Sequence, residues 1–355
     1  MKALIAAGGK GTRLRPLTYT TSKPLIPIAN RPMLFYILDE IEKAGIKDVI
    51  ININKGTTEI PDAIRKENSW NLKITYIEQE KPLGIAHVVK IAEKKLKDSP
   101  FLYYLGDNIL KGGINEYLNE FTSNNCICHI LLSKVRDPER FGVALFNKKG
   151  KIVKLVEKPK KHISDFALTG VYFFTPEIYK AIDKLKPSKR GELEITDAIS
   201  WLIRHKYPVT YSKVTGWWKD TGQVRDLLEG NQLILGDIDC DIEGKVSSDC
   251  TLEGKIKIGR KSVISDETTI RGPAIIGKNC RIEKSYIGPY TSIGDNVEIT
   301  DTEIENSIVM PCSKINSSAR IVDSLIGFNA KITSHKQTFP SGHKIVVGDY
   351  SNVEL

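Results

Sequence analysis

Along roughly the first two-thirds of the chain, short continuous apolar runs alternate with stretches in which apolar residues recur every three or four positions. Ala3-Leu4-Ile5-Ala6-Ala7 is a run of strand length that breaks into Gly8-Gly9-Lys10-Gly11. Leu34, Ile37, Leu38 and Ile41 recur at helical spacing, which predicts a helix opened by Asn30-Arg31-Pro32, with Pro32 in its first turn, and stopped by Gly45. The same reading predicts strands at 48–54, 73–78, 101–105, 127–135, 143–146, 152–156, 166–174 and 209–214. Helices are predicted at 59–67, 84–96, 114–121, 176–185, 194–204 and 223–235. Strands and helices in alternation imply an α/β, Rossmann-like mixed sheet with helices on both faces.

After residue 236 the period changes. Apolar residues fall at Val246, Leu252, Ile258, Ile264, Ile270, Ile276 and Ile282, each six apart. The series continues at Ile287, Ile293, Ile299, Ile304, Val309, Ile315, Ile321, Ile326 and Ile332, mostly by sixes with a few fives. A sustained period of six suits neither a helix nor a flat sheet. It predicts a left-handed parallel β-helix, in which each hexapeptide forms one side of a triangular coil and points its aliphatic residue inward. Sixteen such positions at three per coil make about five coils. Gly259, Gly277, Gly288, Gly294 and Gly327 each follow an inward position and are expected at tight corners. The chain therefore divides into 1–236 and 237–355, with Lys344–Leu355 expected to cap the last coil.

Composition narrows the partners. The 355 residues carry 52 basic and 43 acidic side chains, a net charge of +9, with the two signs interspersed. No like-charged run is long enough for a nucleic-acid arm, so nucleic acid is not an expected partner. The six cysteines form no metal-type Cys-x-x-Cys pair, and Cys126 and Cys128 are expected in the core. Nothing resembles a signal peptide or a bilayer span, so no membrane partner and a cytoplasmic location are expected.

The chemistry concentrates where apolar strands end. Gly8, Gly9 and Gly11, with Thr12 beside them, let backbone N–H groups approach a bulky anion, and Lys10, Arg13, Arg15 and Lys23 bring positive charge. The spacing matches neither the P-loop nor the dinucleotide fingerprint, because Lys10 precedes Gly11 and Leu14 stands where a third glycine is needed. Pro16 is expected to keep a helix off the loop and leave it extended. Asp107 follows a buried strand and Gly106, and Asp220 stands in Trp217-Trp218-Lys219-Asp220-Thr221-Gly222. Two carboxylates at strand ends near a phosphate site suit Mg²⁺, which takes one or two carboxylates plus phosphate oxygens. Lys158 and Arg190 are candidates for a second phosphate, and Glu194 or Thr196 for the cap of the helix at 194–204.

The loop, continued through Pro16-Leu17-Thr18 to Ser22-Lys23-Pro24-Leu25-Ile26-Pro27, resembles the signature of sugar-1-phosphate nucleotidyltransferases. Within that family the chain is most similar to the long-form glucose-1-phosphate thymidylyltransferases. The shared motifs are Gln79 with Pro82-x-Gly84, Leu105-Gly106-Asp107-Asn108, Phe141-Gly142, Glu157-Lys158-Pro159, Thr169-Gly170-x-Tyr172, Arg190 to Asp197, Trp218-x-Asp220-Thr221-Gly222 and an ending with Gly348-Asp349-Tyr350-Ser351. The resemblance implies that Arg13 and Lys23 hold the triphosphate, that Gln79, Pro82 and Gly84 meet the base, and that Asp107 and Asp220 ligate Mg²⁺. It further implies that Asn108, Gly142, Glu157, Leu168, Tyr172 and Trp218 surround the hexose while Lys158 and Arg190 hold its phosphate. Pro24, His87 and Phe141 depart from the short enzymes, which carry Gln, Gln and Tyr there. The implied substrates are dTTP, or UTP as the alternative, and glucose 1-phosphate. Two rival readings are a non-catalytic assembly subunit and acyl transfer by the β-helix, for which His335 and His343 lie beyond the regular coils. A scaffold role and a homo-oligomer are expected of the β-helix.

Overall fold

The computed structural model describes residues 1–334, which gather into two compact units. One unit comprises Met1–Lys10, Ser22–Leu25 and Met33–Asp220. The other comprises Gly11–Thr21, Ile26–Pro32 and the chain from Thr221 onward. The tail at Lys344–Leu355 and both His335 and His343 lie outside the described residues.

In chain order the elements are β1 (Lys2–Ala6), β2 (Pro27–Ile28), β3 (Arg31–Pro32), α1 (Met33–Lys43), β4 (Asp48–Asn54), α2 (Glu59–Glu67) and β5 (Lys73–Gln79). There follow α3 (Ile85–Leu96), β6 (Phe101–Leu105), β7 (Asn108–Leu110), α4 (Asn115–Ser123), β8 (Cys128–Lys134), β9 (Gly142–Phe146) and β10 (Ile152–Glu157). Last come β11 (Phe166–Phe174), α5 (Ile178–Ile182), α6 (Ile195–Arg204), β12 (Val209–Lys213), β13 (Trp218–Asp220) and α7 (Val224–Leu235). Three expectations change. The first helix starts at Met33, because Arg31–Pro32 pairs with Pro27–Ile28 around a turn in which Ala29 and Asn30 have φ of 47° and 62°. The loop after Gly9 is not extended but folds into short 3₁₀ turns at Thr12–Leu14, Leu17–Tyr19 and Lys23–Leu25. The short strands β7 and β13, unmarked by any apolar period, pair with each other.

The first unit is built on a nine-stranded mixed sheet in which β10, β9, β11, β6, β1, β4 and β5 follow in order and β8 joins β11 to β12. Apolar side chains of α1 and α4 pack on one face (Leu34, Ile37, Leu38, Ile41, Tyr117, Phe121). Those of α3 and α6 pack on the other (Val88, Val89, Ala92, Leu96, Ile199, Leu202). Cys126 and Cys128 are buried as expected. Among the described residues no helix is long and apolar enough to cross a membrane.

In the second unit, seventeen short strands form three parallel sheets of six, six and five, consistent with a left-handed parallel β-helix. All sixteen hexapeptide positions belong to its core, with Val246, Leu252, Ile321 and Ile332 at the partly buried ends. Register aligns them in columns, such as Ile264↔Ile282↔Ile299↔Ile315. The glycines serve a different purpose from the one expected. A Cβ on Gly259 would lie 2.7 Å from the carbonyl oxygen of Gly277, and one on Gly277 would lie 2.7 Å from the backbone of Gly294. They let successive coils approach, while left-handed corner backbone falls to non-glycine residues, Asn279, Asn296, Asn306 and Asn329 among them but also Lys261, Lys284 and Cys312. Buried Asn231 ties α7 to the coils, accepting from Ala29 N and Ser292 Oγ and donating to Tyr290 O.

Candidate active site

The strands β1, β4 and β6 are parallel neighbours, so their C-terminal ends share one edge of the sheet. At that edge Gly106 N donates to Ala6 O, and the chain passes through Asp107 into β7. Antiparallel pairing of β7 with β13 sets Asp220 opposite Asn108, the residue that follows Asp107 in the chain. Lys23 Nζ lies 2.5 Å from Asp107 Oδ2. Asn108 Nδ2 donates to Asp107 Oδ1 at 2.8 Å, and Trp218 Nε1 donates to Asn108 Oδ1 at 2.8 Å. Arg140 Nη2 stands 3.9 Å from Asp220 Oδ2, while its Nη1 holds Asp137 at 2.7 Å. Phe141 meets Trp218 edge to face. Among the described residues no three His, Cys, Asp or Glu side chains gather as a metal cage. The donor set here is two carboxylates, which fits an ion that completes its shell with phosphate oxygens and water.

A second cluster forms around Arg190. Its Nη2 lies 2.9 Å from each oxygen of buried Glu194, 3.2 Å from Glu192 and 3.5 Å from Glu157. Glu194 is the N-cap residue of α6 but makes no side-chain cap bond, because its carboxylate is turned to Arg190 and Ser188. Of the two expected candidates Glu194 thus holds the cap position, and Thr196 does not; its hydroxyl donates to Glu157 Oε2. Gly142 is the register partner of Glu157, and Leu168 and Tyr172 are buried on β11. Burial pushes the Tyr172 phenol far above its ordinary range, so it acts as a neutral hydroxyl. Lys158 is exposed, its backbone N bonded to Phe141 O.

Burial, and then the charge of Glu194, push the Glu157 carboxyl above its ordinary 4.5. A carboxyl with a raised folded pKa favours folding at acid pH, and that contribution is lost as pH rises through the raised value. Glu157→Gln is therefore expected to raise the melting temperature relative to wild type near neutrality, with the difference vanishing in acid. Thermal melts across that range read it, and a wild-type advantage at neutral pH counts against it.

Gln79 is buried at the end of β5 and turns Nε2 toward Gly84 O (3.4 Å) and His87 Nδ1 (3.0 Å). Burial, with Lys90 adding to it, lowers the His87 pKa and favours the neutral ring. Gly84 has φ of +99°, and a Cβ there would lie 2.5 Å from Leu193 O. That contact clips the segment 83–86 to the one after Arg190 through Leu193 N→Leu83 O and Ala86 N→Leu193 O. Pro82 is exposed beside it. Gly8 and Gly9 are shaped by residues that sequence reasoning missed. Asn54 clamps Gly9, accepting from its N and donating to its O, and buried Asn52 lies beneath Gly8. Their signal was available as two asparagines in the apolar strand Ile51-Asn52-Ile53-Asn54. Glu192, Glu194 and Arg140 were missed as well. Gly11, Thr12 and Arg13 belong to the second unit, where Gly11 is left-handed (φ 56°) and opens a 3₁₀ turn that exposes Arg13.

Comparison with known proteins supplies the context. The nucleotidyl transferase family model matches residues 2–236, and the model of the GMPPB C-terminal domain matches residues 270–354. The chain is 46% identical over 356 residues to a glucose-1-phosphate thymidylyltransferase of Streptomyces antibioticus, covering 100% of this chain and 99% of that one. A solved structure described as a glucose-1-phosphate thymidylyltransferase from Bacillus anthracis, in complex with a sucrose, is 36% identical with a TM-score of 0.62, over 68% of this chain and 97% of that chain. A UDP-glucose pyrophosphorylase complexed with UDP-glucose is 25% identical with a TM-score of 0.60, over 67% of this chain and 99% of that chain.

Proposed function

The chain belongs to the nucleotidyl transferase family, and from that premise we propose that it joins dTTP to glucose 1-phosphate, giving dTDP-glucose and pyrophosphate. The observation that carries the reading is the meeting of Lys23, Asp107, Asn108, Trp218 and Asp220 at one strand edge. Residues 1–236 serve as the catalytic part, and residues 237–355 as a scaffold through which copies of the chain associate.

A phosphate oxygen of glucose 1-phosphate attacks the α-phosphorus of dTTP; a new P–O bond forms as the bond to the β-phosphate oxygen breaks, and pyrophosphate carries that electron pair away. The nucleophile is already an anion, so no general base is required. The obstacle is repulsion between two anions, which fixed positive charge lowers. Lys23 takes up triphosphate charge, and Arg13 is assigned the same task by its loop sequence. Lys158 and Arg190 receive the sugar phosphate. The carboxylates of Glu192 and Glu194 hold the Arg190 guanidinium in place. Gly142, Glu157, Leu168, Tyr172, Asn108 and Trp218 border the hexose. Asp107 and Asp220 would hold a divalent cation, Mg²⁺, which when bound neutralises phosphate charge.

With Nε2 turned to Gly84 O, Gln79 offers Oε1 to the base N3–H. That edge is common to thymine and uracil, so UTP stands as the second substrate. Pyrophosphate release measured with dTTP and UTP, each with glucose 1-phosphate, tests the proposal. A higher kcat/KM with dTTP is expected; preference for UTP reassigns the nucleotide, and no release with either removes the enzymatic reading.

A further inference from the structure

Each edge carboxylate meets a cation from its own chain. Lys23 Nζ sits at 2.5 Å on Asp107 with only 11% of its side chain exposed, and Arg140 approaches Asp220 at 3.9 Å. The two contacts differ in kind. Arg140 is a rigid fork already committed to Asp137, whereas Lys23 is a compact ammonium on a flexible stem. The backbone under Lys23 is fixed. Ser22 N donates to Glu59 Oε2, Leu25 N closes the turn on Ser22 O, and Pro24 is buried. The stem can therefore swing while its anchor stays.

We infer that Lys23 is a resident substitute for the divalent cation: its ammonium fills the charge position on Asp107 until the ion takes that position and the nucleotide phosphates receive the ammonium. The inference rests on the reading of Asp107 and Asp220 as cation ligands. A carboxylate held at a half-buried edge is costly unless a positive charge lies beside it. Lys23 supplies that charge at Asp107, as Arg140 does at Asp220, so the edge is preformed. The ion must displace Lys23 to bind, which weakens it when nucleotide is absent. When triphosphate is present the displaced ammonium gains a new anion, which favours the ion. Lys23 thus couples the two ligands positively, and by linkage each strengthens the other.

Mn²⁺, a hard cation that accepts the same oxygen donors, can be titrated against the full chain and its free form read by electron paramagnetic resonance, with no turnover needed. Without nucleotide, Lys23→Met is expected to bind Mn²⁺ about tenfold more tightly than wild type, the scale of one screened charge contact. With dTTP present the order reverses and Lys23→Met binds Mn²⁺ more weakly. Lys23→Arg keeps the charge and stays weaker than Lys23→Met without nucleotide. Asp107→Asn removes the tighter binding from the Lys23→Met background. The inference is overturned if Lys23→Met binds Mn²⁺ no more tightly than wild type without nucleotide, including the case where neither binds measurably. It is also overturned if the order is the same with and without dTTP, or if Asp107→Asn leaves the tighter binding intact. Pyrophosphate is measured in none of these arms, so failure here leaves the transfer reaction standing, and an inactive preparation leaves the titration readable.

Discussion

Asp107→Ala is expected to lower kcat for pyrophosphate release by at least ~10³-fold, the scale on which charge-stabilising groups act in phosphoryl transfer. Asp107 is where Lys23, Asn108 and, through Asn108, Trp218 converge. Truncation removes the acceptor of Lys23 and Asn108, loosens the Asn108 amide that receives Trp218, and removes one of two carboxylates proposed for the cation. Asp107→Asn keeps the side-chain volume and an acceptor oxygen but loses the charge. Its kcat should fall within about tenfold of the alanine variant, because charge rather than shape is what transfer between two anions needs. Circular dichroism and a melting curve check that the fold survives. A kcat within tenfold of wild type in the folded alanine variant would remove Asp107 from the mechanism.

The second large effect is expected at Arg190. Arg190→Ala should reduce kcat/KM for glucose 1-phosphate by at least ~10²-fold, in line with the loss of a charged hydrogen-bonding partner at a desolvated anion. The effect on dTTP binding should be smaller. Lysine should rescue little, because a single ammonium cannot reproduce the guanidinium that spans Glu157, Glu192 and Glu194. The variant also carries a pH signature. Despite the opposing cost of burial, the hydrogen bond to Glu194 and the surrounding carboxylates raise the Arg190 pKa, so its positive charge persists throughout. Without it three carboxylates repel one another when ionised, so Arg190→Ala should melt lower than wild type at neutral pH and recover toward it as acid protonates them. Unchanged kcat/KM for the sugar phosphate, or a melting deficit independent of pH, would show that Arg190 acts elsewhere.

Much of this architecture could be read from one sequence because its signals are local and periodic. The hexapeptide columns needed no partner to be recognised: the period alone separates Ile264, Ile282, Ile299 and Ile315 from their neighbours. Asp107 was visible because a buried strand, a glycine and a carboxylate follow in sequence. What the chain concealed lies in pairs remote in sequence. Nothing near Glu194 says that its carboxylate leaves the helix cap for Arg190 and Ser188. Asn108 and Trp218 meet only because two short strands, lacking an apolar period, pair across the edge. The β-helix glycines show the same limit. Their positions were clear, but their purpose depended on how near the next coil lies, which no residue in the same coil encodes.

The columns of the β-helix also bear on how such a chain can change length. Ile264 and Ile282 are eighteen positions apart, Ile282 and Ile299 seventeen, and Ile299 and Ile315 sixteen, yet each faces its partner in register. The spare residues are absorbed at the vertices, where Asn, Asp and several other side chains sit on left-handed backbone. Small insertions and deletions there should be nearly silent for the walls, and loss of a whole turn should cost only its contacts with two neighbours. Such a domain can be lengthened, shortened or decorated at its vertices by descent, with each wall column still closing on itself.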